Sequence, residues 1–461
     1  MSEPIESVLK GELRRFKAYP TYKDSGVEWL GKIPSHWQLK PLRTTIKSCQ
    51  NGVWGDDPNG VHDVVCVRVA DFDRTKLRVR SDDLTVRAID RRILSERGLR
   101  AGDLLLEKSG GGENQPVGAV VLYTHQAPAV CSNFVARVVV SATNHPAYLA
   151  YLHKALYSLR INTRHIKQST GIQNLDSQSY LGESVALPSR EEQESIASFL
   201  DEETGKIDVL VAKKERLITL LQERRTALIT RAVTKGLNPA APMKDSGVEW
   251  LGDIPAHWEV RPLKYHLKMP LAYGVLKPDK YTGSDGVRLI RILDVEAGAV
   301  TESALEVISP QQSAEFRRTL LRTGDLVLSV VGTIGRSFVV PHSLEGANLS
   351  RALARIQLDS GLDARFLELQ FEANSFTSFV DLVPAGTAQR VLNLGDLAGF
   401  VVPVPPVAEQ LALTAQVQEG IGKIADLIDK VRSAINHLNE LRTSLISAAV
   451  TGKIDVRETA Q

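Results

Sequence analysis

The chain has 461 residues, 43% hydrophobic and 24% charged, with a formal net charge of +2 at pH 7. That composition excludes a disordered or fibrous chain and leaves room for two or three domains with their own cores. A charge so close to zero names no partner, so the distribution of charge has to.

No run of about 18 apolar residues occurs, and the opening MSEPIESVLKGELRR lacks a basic then apolar leader, so the expectation is a cytoplasmic protein without membrane spans. Three scattered cysteines, Cys49, Cys66 and Cys131, fit a reducing compartment, build no zinc site and are expected as core thiols.

In chain order, residues 1–22 form an N-terminal segment with a short helical pattern, Ile5, Val8, Leu9 and Leu13, broken at Pro20. Next comes KDSGVEWLGKIPSHW at 23–37, which returns as KDSGVEWLGDIPAHW at 244–258. The chain is an internal duplication. Each copy runs from this Trp-containing opener through a β-rich middle and a proline-marked exit to a long helix. The first middle has β-branched runs VHDVVCVRV, DLLLE, GAVVLY and FVARVVV; the second has VRLIRILDV, GDLVLSVVG, RSFVVP and RALARIQL. Helical stretches are expected over 147–167 and 364–382.

The long helices are marked by heptads. Leu200, Ile207, Val211, Ile218, Leu221 and Leu228 recur, 217 residues on, as Val417, Ile424, Ile428, Ile435, Leu438 and Leu445, with Ile421 and Val431 completing the second seam. Thr204, Lys214, Arg225 and Arg442 interrupt it. Ser189 with Glu192 forms a capping box, Gly236 and Gly452 are C-terminal stops, and Gly205 and Gly422 are expected to weaken or kink the helices. Because the order is domain, helix, domain, helix, seams that meet must be antiparallel.

The expected fold is α+β: two duplicated α/β domains joined by two long antiparallel coiled-coil helices, with a pseudo-twofold axis. Its parts are a first domain at 23–187, spacer helix one at 188–237, a second domain at 244–403, spacer helix two at 404–453, and a tail at 454–461.

No catalytic constellation is present, and no cofactor or metal is expected. VVGTIGR at 330–336 lacks the lysine and hydroxyl of a phosphate-binding loop, and Pro405–Pro406 follows Val404 where an amino-methyltransferase needs Asn or Asp. Asp103, Glu107 and Lys108 in GDLLLEK read as an exposed strand end, and the histidines have no HExxH spacing.

Charge placement does carry a signal. From Asn114 to Leu175 there is no acidic residue, while Arg137, Lys154, Arg160, Arg164 and Lys167 are present, with His145, His153, His165, Tyr148, Tyr151 and Tyr157 among them. A one-signed face of this kind suits a polyanion. Groove readers would come from loop tips: Lys108, Asn114 and Gln115 in one, Gln173 and Asn174 in a second, Arg336 in a third, Gln389 and Arg390 in a fourth. The second middle is less one-sided, with Arg336, Arg351, Arg355 and Arg390 among several acids.

The two openers, PSREEQESIASFLDEETGKIDVLVAKKERLITLLQERRTALITRAVTKGL and PVPPVAEQLALTAQVQEGIGKIADLIDKVRSAINHLNELRTSLISAAVTGKI together resemble the specificity subunits of type I restriction-modification systems. The resemblance covers nearly the whole chain in the family's order; the middles match only in pattern. It implies two target-recognition domains, each reading half of a split site in double-stranded DNA, with the paired helices holding them apart. It further implies partners: two modification (methyltransferase) subunits docked on the helices, and a motor-nuclease restriction subunit. The seam interruptions are then candidates for facing a partner. A free-standing tandem DNA-binding regulator and a coiled-coil scaffold are the other readings of the same residues.

Overall fold

The computed structural model describes residues 16–168, 171–296, 298–383 and 390–457. The helical pattern expected over 5–13 and the candidate Gln389 lie outside them. Two compact units emerge, residues 1–214 with 432–461, and residues 215–431. The division falls inside both long helices, Arg190–Lys235 and Val407–Val450.

In the first unit the opener forms a hairpin, Tyr22–Asp24 against Lys32–Pro34. The following strand, Gln38–Pro41, pairs with the exit strand Ser184–Leu187, so the middle starts and ends at one place. Between them Ile46–Asn51, Val135–Val140, Leu104–Glu107 and Val120–Leu122 lie side by side in an antiparallel sheet. A second sheet pairs Ala129–Cys131 in parallel with Asp63–Val67. Four of these strands lie in the β-branched runs of the sequence, whereas Ile46–Asn51 and Ala129–Cys131 do not; the central strand Leu104–Glu107 is buried on both faces.

The helix Pro146–Ser158 covers the sheet and stops short of the expected boundary. Arg160 takes a left-handed backbone (φ 60°), and a 3-10 turn, Ile161–His165, follows.

The second unit repeats the plan. Met243–Asp245 pairs with Asp253–Pro255, and Glu259–Pro262 with the exit Val401–Val404. Ser337–Val339, Leu326–Ser329 and Leu353–Ile356 form the central sheet. The register is identical: Arg137 lies opposite Leu105, and Arg355 opposite Val327. Ala364–Glu372 and Asn374–Leu382 supply the covering helices, split at Ala373.

The long helices are continuous through Gly205 and Gly422. Along the first helix from 209 to 224, every residue off the heptad seam is exposed, whereas Val211, Lys214, Ile218 and Leu221 on the seam are half-buried. Leu200, Ile207, Val417, Ile424, Ile428 and Leu445 are buried; Leu228, Ile421, Val431, Ile435 and Leu438 are half-buried. In the first unit Arg442 reaches Asp208 and the Thr204 carbonyl; in the second, Gly420 lies against Leu228. Partner numbers fall as the helix number rises, so the pair is antiparallel.

Three of the four seam interruptions have partners inside the chain. Arg442 takes Asp208, Arg225 takes Glu372, and Thr204 bonds Leu200 and Tyr151. Gly236 (φ 66°) and Gly452 (φ 71°) end the helices in the left-handed conformation that glycine tolerates.

The helix starts explain the repeated opener. Ser189 Oγ accepts from the Glu192 amide at 3.3 Å, but the Glu192 carboxylate does not close a capping box. It instead accepts from Tyr19 Oη (2.7 Å) and Trp37 Nε1 (3.1 Å), with His36 Nε2 at 3.0 Å. Glu409 does the same for Trp258 (3.1 Å) and His257 (2.8 Å). The next residue docks the middle: Gln193 accepts from the His145 amide, and Gln410 from the Asp363 amide, each at the start of a covering helix. Trp37 and Trp258 are fully buried, and truncating such an indole costs ~3–5 kcal/mol.

Candidate nucleic-acid interface

The structure brings together loop tips far apart in sequence. In the first unit Ser109–Gly110 pairs with Gln173–Leu175, which pairs with Ile166–Gln168, so the glycine-rich tip and the 168–174 loop share one small sheet. In the second, Val331 bridges Val391, and the Gly332 amide donates to the Arg390 carbonyl.

Several of the predicted contact residues make hydrogen bonds within the frame. Gln173 Oε1 accepts from the Val117 amide (3.1 Å), and Asn174 Oδ1 accepts from Ser109 Oγ (2.6 Å). Lys108 Nζ, half-buried, donates to Asn51 (2.6 Å). Asn114 and Gln115 are exposed at the mouth of a cavity of about 210 Å³ shared with Arg74, Lys154 and Tyr157. There burial, then the charges of Arg442 and Arg74, hold the Lys154 ammonium below its ordinary pKa.

The acid-free run is not a one-signed face. Arg137 is buried against Asp103 (2.7 Å), Lys167 is paired with Asp176 (2.6 Å), and His165 meets Glu183 (2.7 Å). His153 is buried on Tyr180, its pKa lowered to about 4 by burial. Tyr148 and Tyr151 belong to the core, and Tyr157 is half-buried. Of the basic residues in that run, those exposed without a side-chain partner among the described residues are Arg160 and Arg164.

In the second unit Arg336 is exposed and donates to the Val295 carbonyl (2.9 Å), while Arg390 pairs with Asp381. Arg355 is buried against Asp325 (2.6 Å), the counterpart of Asp103 and Arg137. Arg351 is exposed and its side chain has no partner among the described residues.

The GDLLLEK triplet is likewise not an exposed strand end. Asp103 and Glu107 are 5% and 0% exposed, and Glu107 accepts two bonds from Arg74 (2.9 Å each). Cys66 and Cys131 are buried, their thiols pushed up to about 11 and about 12 by burial, while Cys49 is half-buried.

Sequence reasoning missed an open cleft of about 470 Å³ in the first unit, walled by Trp54, Arg68, Ser109, Asn133 and Phe134. Trp54 and Phe134 are 39% and 45% exposed, and the Arg87 guanidinium lies 4.8 Å from the Trp54 ring centroid.

No protein-family model matches the chain. Among curated proteins it is 27% identical over 342 residues to the type I restriction enzyme EcoBI specificity subunit of Escherichia coli, covering 72% of this chain and 71% of the relative. It is 24% identical over 311 residues to the MjaVIII specificity subunit of Methanocaldococcus jannaschii, covering 65% and 70%. A chain from a solved structure, described as the structural basis of complex assembly and conformational transition of the type I R-M system, matches with a TM-score of 0.69. It is 15% identical and covers 91% of this chain and 98% of that one. Among the described residues no helix is long and apolar enough to cross a membrane. The resemblance carried by the openers and long helices therefore stands: this chain is similar in sequence to the specificity subunits of type I restriction enzymes, and in fold to a chain from a type I R-M system.

Proposed function

We propose that this chain is the DNA sequence-recognition subunit of a type I restriction-modification complex. Each unit reads one half of a bipartite site in double-stranded DNA, and the long helices set the gap and dock two modification subunits. A motor-nuclease subunit joins for restriction, and methyl transfer and cleavage sit on those partners. The observation that carries this reading is the repetition of one strand register and one helix anchor in both units while the loop-tip side chains differ. A duplicated frame with divergent tips suits two half-sites of different sequence.

The test is co-expression with a modification subunit, followed by mapping of methylated adenines in host DNA. One split motif with a fixed gap is expected; no complex and no motif would refute the reading. Binding of the purified complex to DNA should also weaken steeply with salt, with a slope of about −0.9 per phosphate contacted.

A further inference from the structure

One turn is built identically in both units but carries different polar side chains. In the first unit it links Ala129–Cys131 to Val135–Val140, and in the second Asn348–Leu349 to Leu353–Ile356. The Val135 amide donates to the Ser132 carbonyl (2.9 Å), and the Leu353 amide to Ser350 (3.0 Å). Three further bonds fix each turn to its frame. Val53 donates to Cys131 and Val275 to Leu349 (both 2.7 Å), Ser132 to Val67 and Ser350 to Ile290 (both 2.9 Å), and Lys108 to Phe134 and Val330 to Ala352 (both 2.8 Å). A glycine admits the crossing strand. A Cβ on Gly52 would sit 2.0 Å from the Cys131 carbonyl oxygen, and one on Gly274 2.0 Å from that of Leu349.

At equivalent positions on this turn stand Asn133 and Arg351. Both are exposed, and neither side chain has a hydrogen-bond partner among the described residues. The surrounding polar residues, by contrast, are spent on the frame: Ser109 on Asn174, Lys108 on Asn51, Arg68 on Asp71, Arg291 on Asp294. An amide and a guanidinium are the groups that bond adenine N6 and N7, and guanine O6 and N7, in the major groove. Held on a rigid turn, they lose little freedom on binding.

We propose that Asn133 and Arg351 are equivalent base-reading residues, one for each half-site, Asn133 set for adenine and Arg351 for guanine. This rests on the DNA-recognition reading above. It separates them from Arg160 and Arg164, whose place on a helical turn outside the shared frame suits phosphate.

The experiment uses the full chain with its modification subunit. Asn133→Ala, Arg351→Ala and Arg351→Lys complexes are compared with wild type for selection from a randomised duplex DNA library and for methylated-adenine motifs. Preference at one base pair of one half-site should fall roughly 5- to 150-fold for Asn133→Ala. Arg351→Ala should do the same in the other half-site, Arg351→Lys less, with the gap unchanged. Unaltered preferences would overturn the assignment while leaving the function intact. So would a sequence-independent loss of affinity with a shallower salt slope, the mark of a phosphate contact. Thermal melting should be unaffected; a variant that unfolds would show that its side chain belongs to the frame, and would also refute the proposal. A wild-type complex that selects no split site overturns both this inference and the function beneath it.

Discussion

The Trp37 indole donates to Glu192 at 3.1 Å, and through it the repeated opener is fastened to the first turn of the long helix. Glu192 is 7% exposed and serves Tyr19 as well, so its loss orphans two buried donors. Each orphan costs about 1–3 kcal/mol. Glu192→Ala should therefore destabilise the first unit by ~2–5 kcal/mol, read by urea denaturation followed through tryptophan fluorescence. Glu409→Ala should cost less, because Glu409 is 32% exposed at its side chain and water can replace it. Equal, small effects would refute the anchoring role.

A second pair, Asp325 with Arg355, is 5% exposed on both sides at 2.6 Å. Asp325 also accepts from the Arg322 amide at 2.8 Å, so it holds the turn before the central strand. Arg355→Met leaves a buried carboxylate unpaired and should cost ~3–5 kcal/mol. Adding Asp325→Asn should recover part of that loss in a double-mutant cycle. A single-variant cost below about 1 kcal/mol would show that water reaches the site.

Much of the fold was legible because its signals are local. The duplicated opener, the heptads and the β-branched strands each state their own geometry within a few residues, and the antiparallel pair follows from chain order. The candidate interface was less so, because charge neutralisation is not local. Residues 114–175 contain no acid, yet Asp103 takes Arg137 from 34 residues upstream, and Asp176 and Glu183 lie just past the run. Asn133 was missed for a different reason: CSNF sits between two β-branched runs and reads as a strand beginning. Its signal was present in a polar Ser-Asn pair interrupting those runs, matched by Ser-Arg at 350–351.

Glu368 provides a pH test of the second unit. Burial, and then the Glu372 carboxylate one turn on, push its pKa up to about 7 against the opposing pull of Arg365. Unfolded, the same side chain titrates near 4.3. Between those values the folded unit binds more protons than the unfolded chain, so stability is lost as pH rises from about 4.5 through 7. Thermal melting of the wild type should fall over that window through this group, and Glu368→Gln should flatten the dependence and raise the melting temperature at pH 8. An unchanged slope in Glu368→Gln would assign the titration elsewhere.

Gly205 and Gly422 test what the long helices need. Both lie inside continuous helix, and a Cβ at either would meet nothing within 4 Å outside the helix's own backbone. A glycine in such a place costs about 0.5–1 kcal/mol relative to alanine, through the freedom it has in the unfolded chain. Gly205→Ala and Gly422→Ala should each stabilise by that amount in thermal denaturation of the isolated chain. If the helices act only as rods, the same variants should assemble with modification subunits as well as the wild type or better. If assembly weakens while the isolated chain is stabilised, the glycines serve a bend made on docking, and the kink expected from the sequence belongs to the assembled state. The two measurements together separate a rigid spacer from one that yields to its partners.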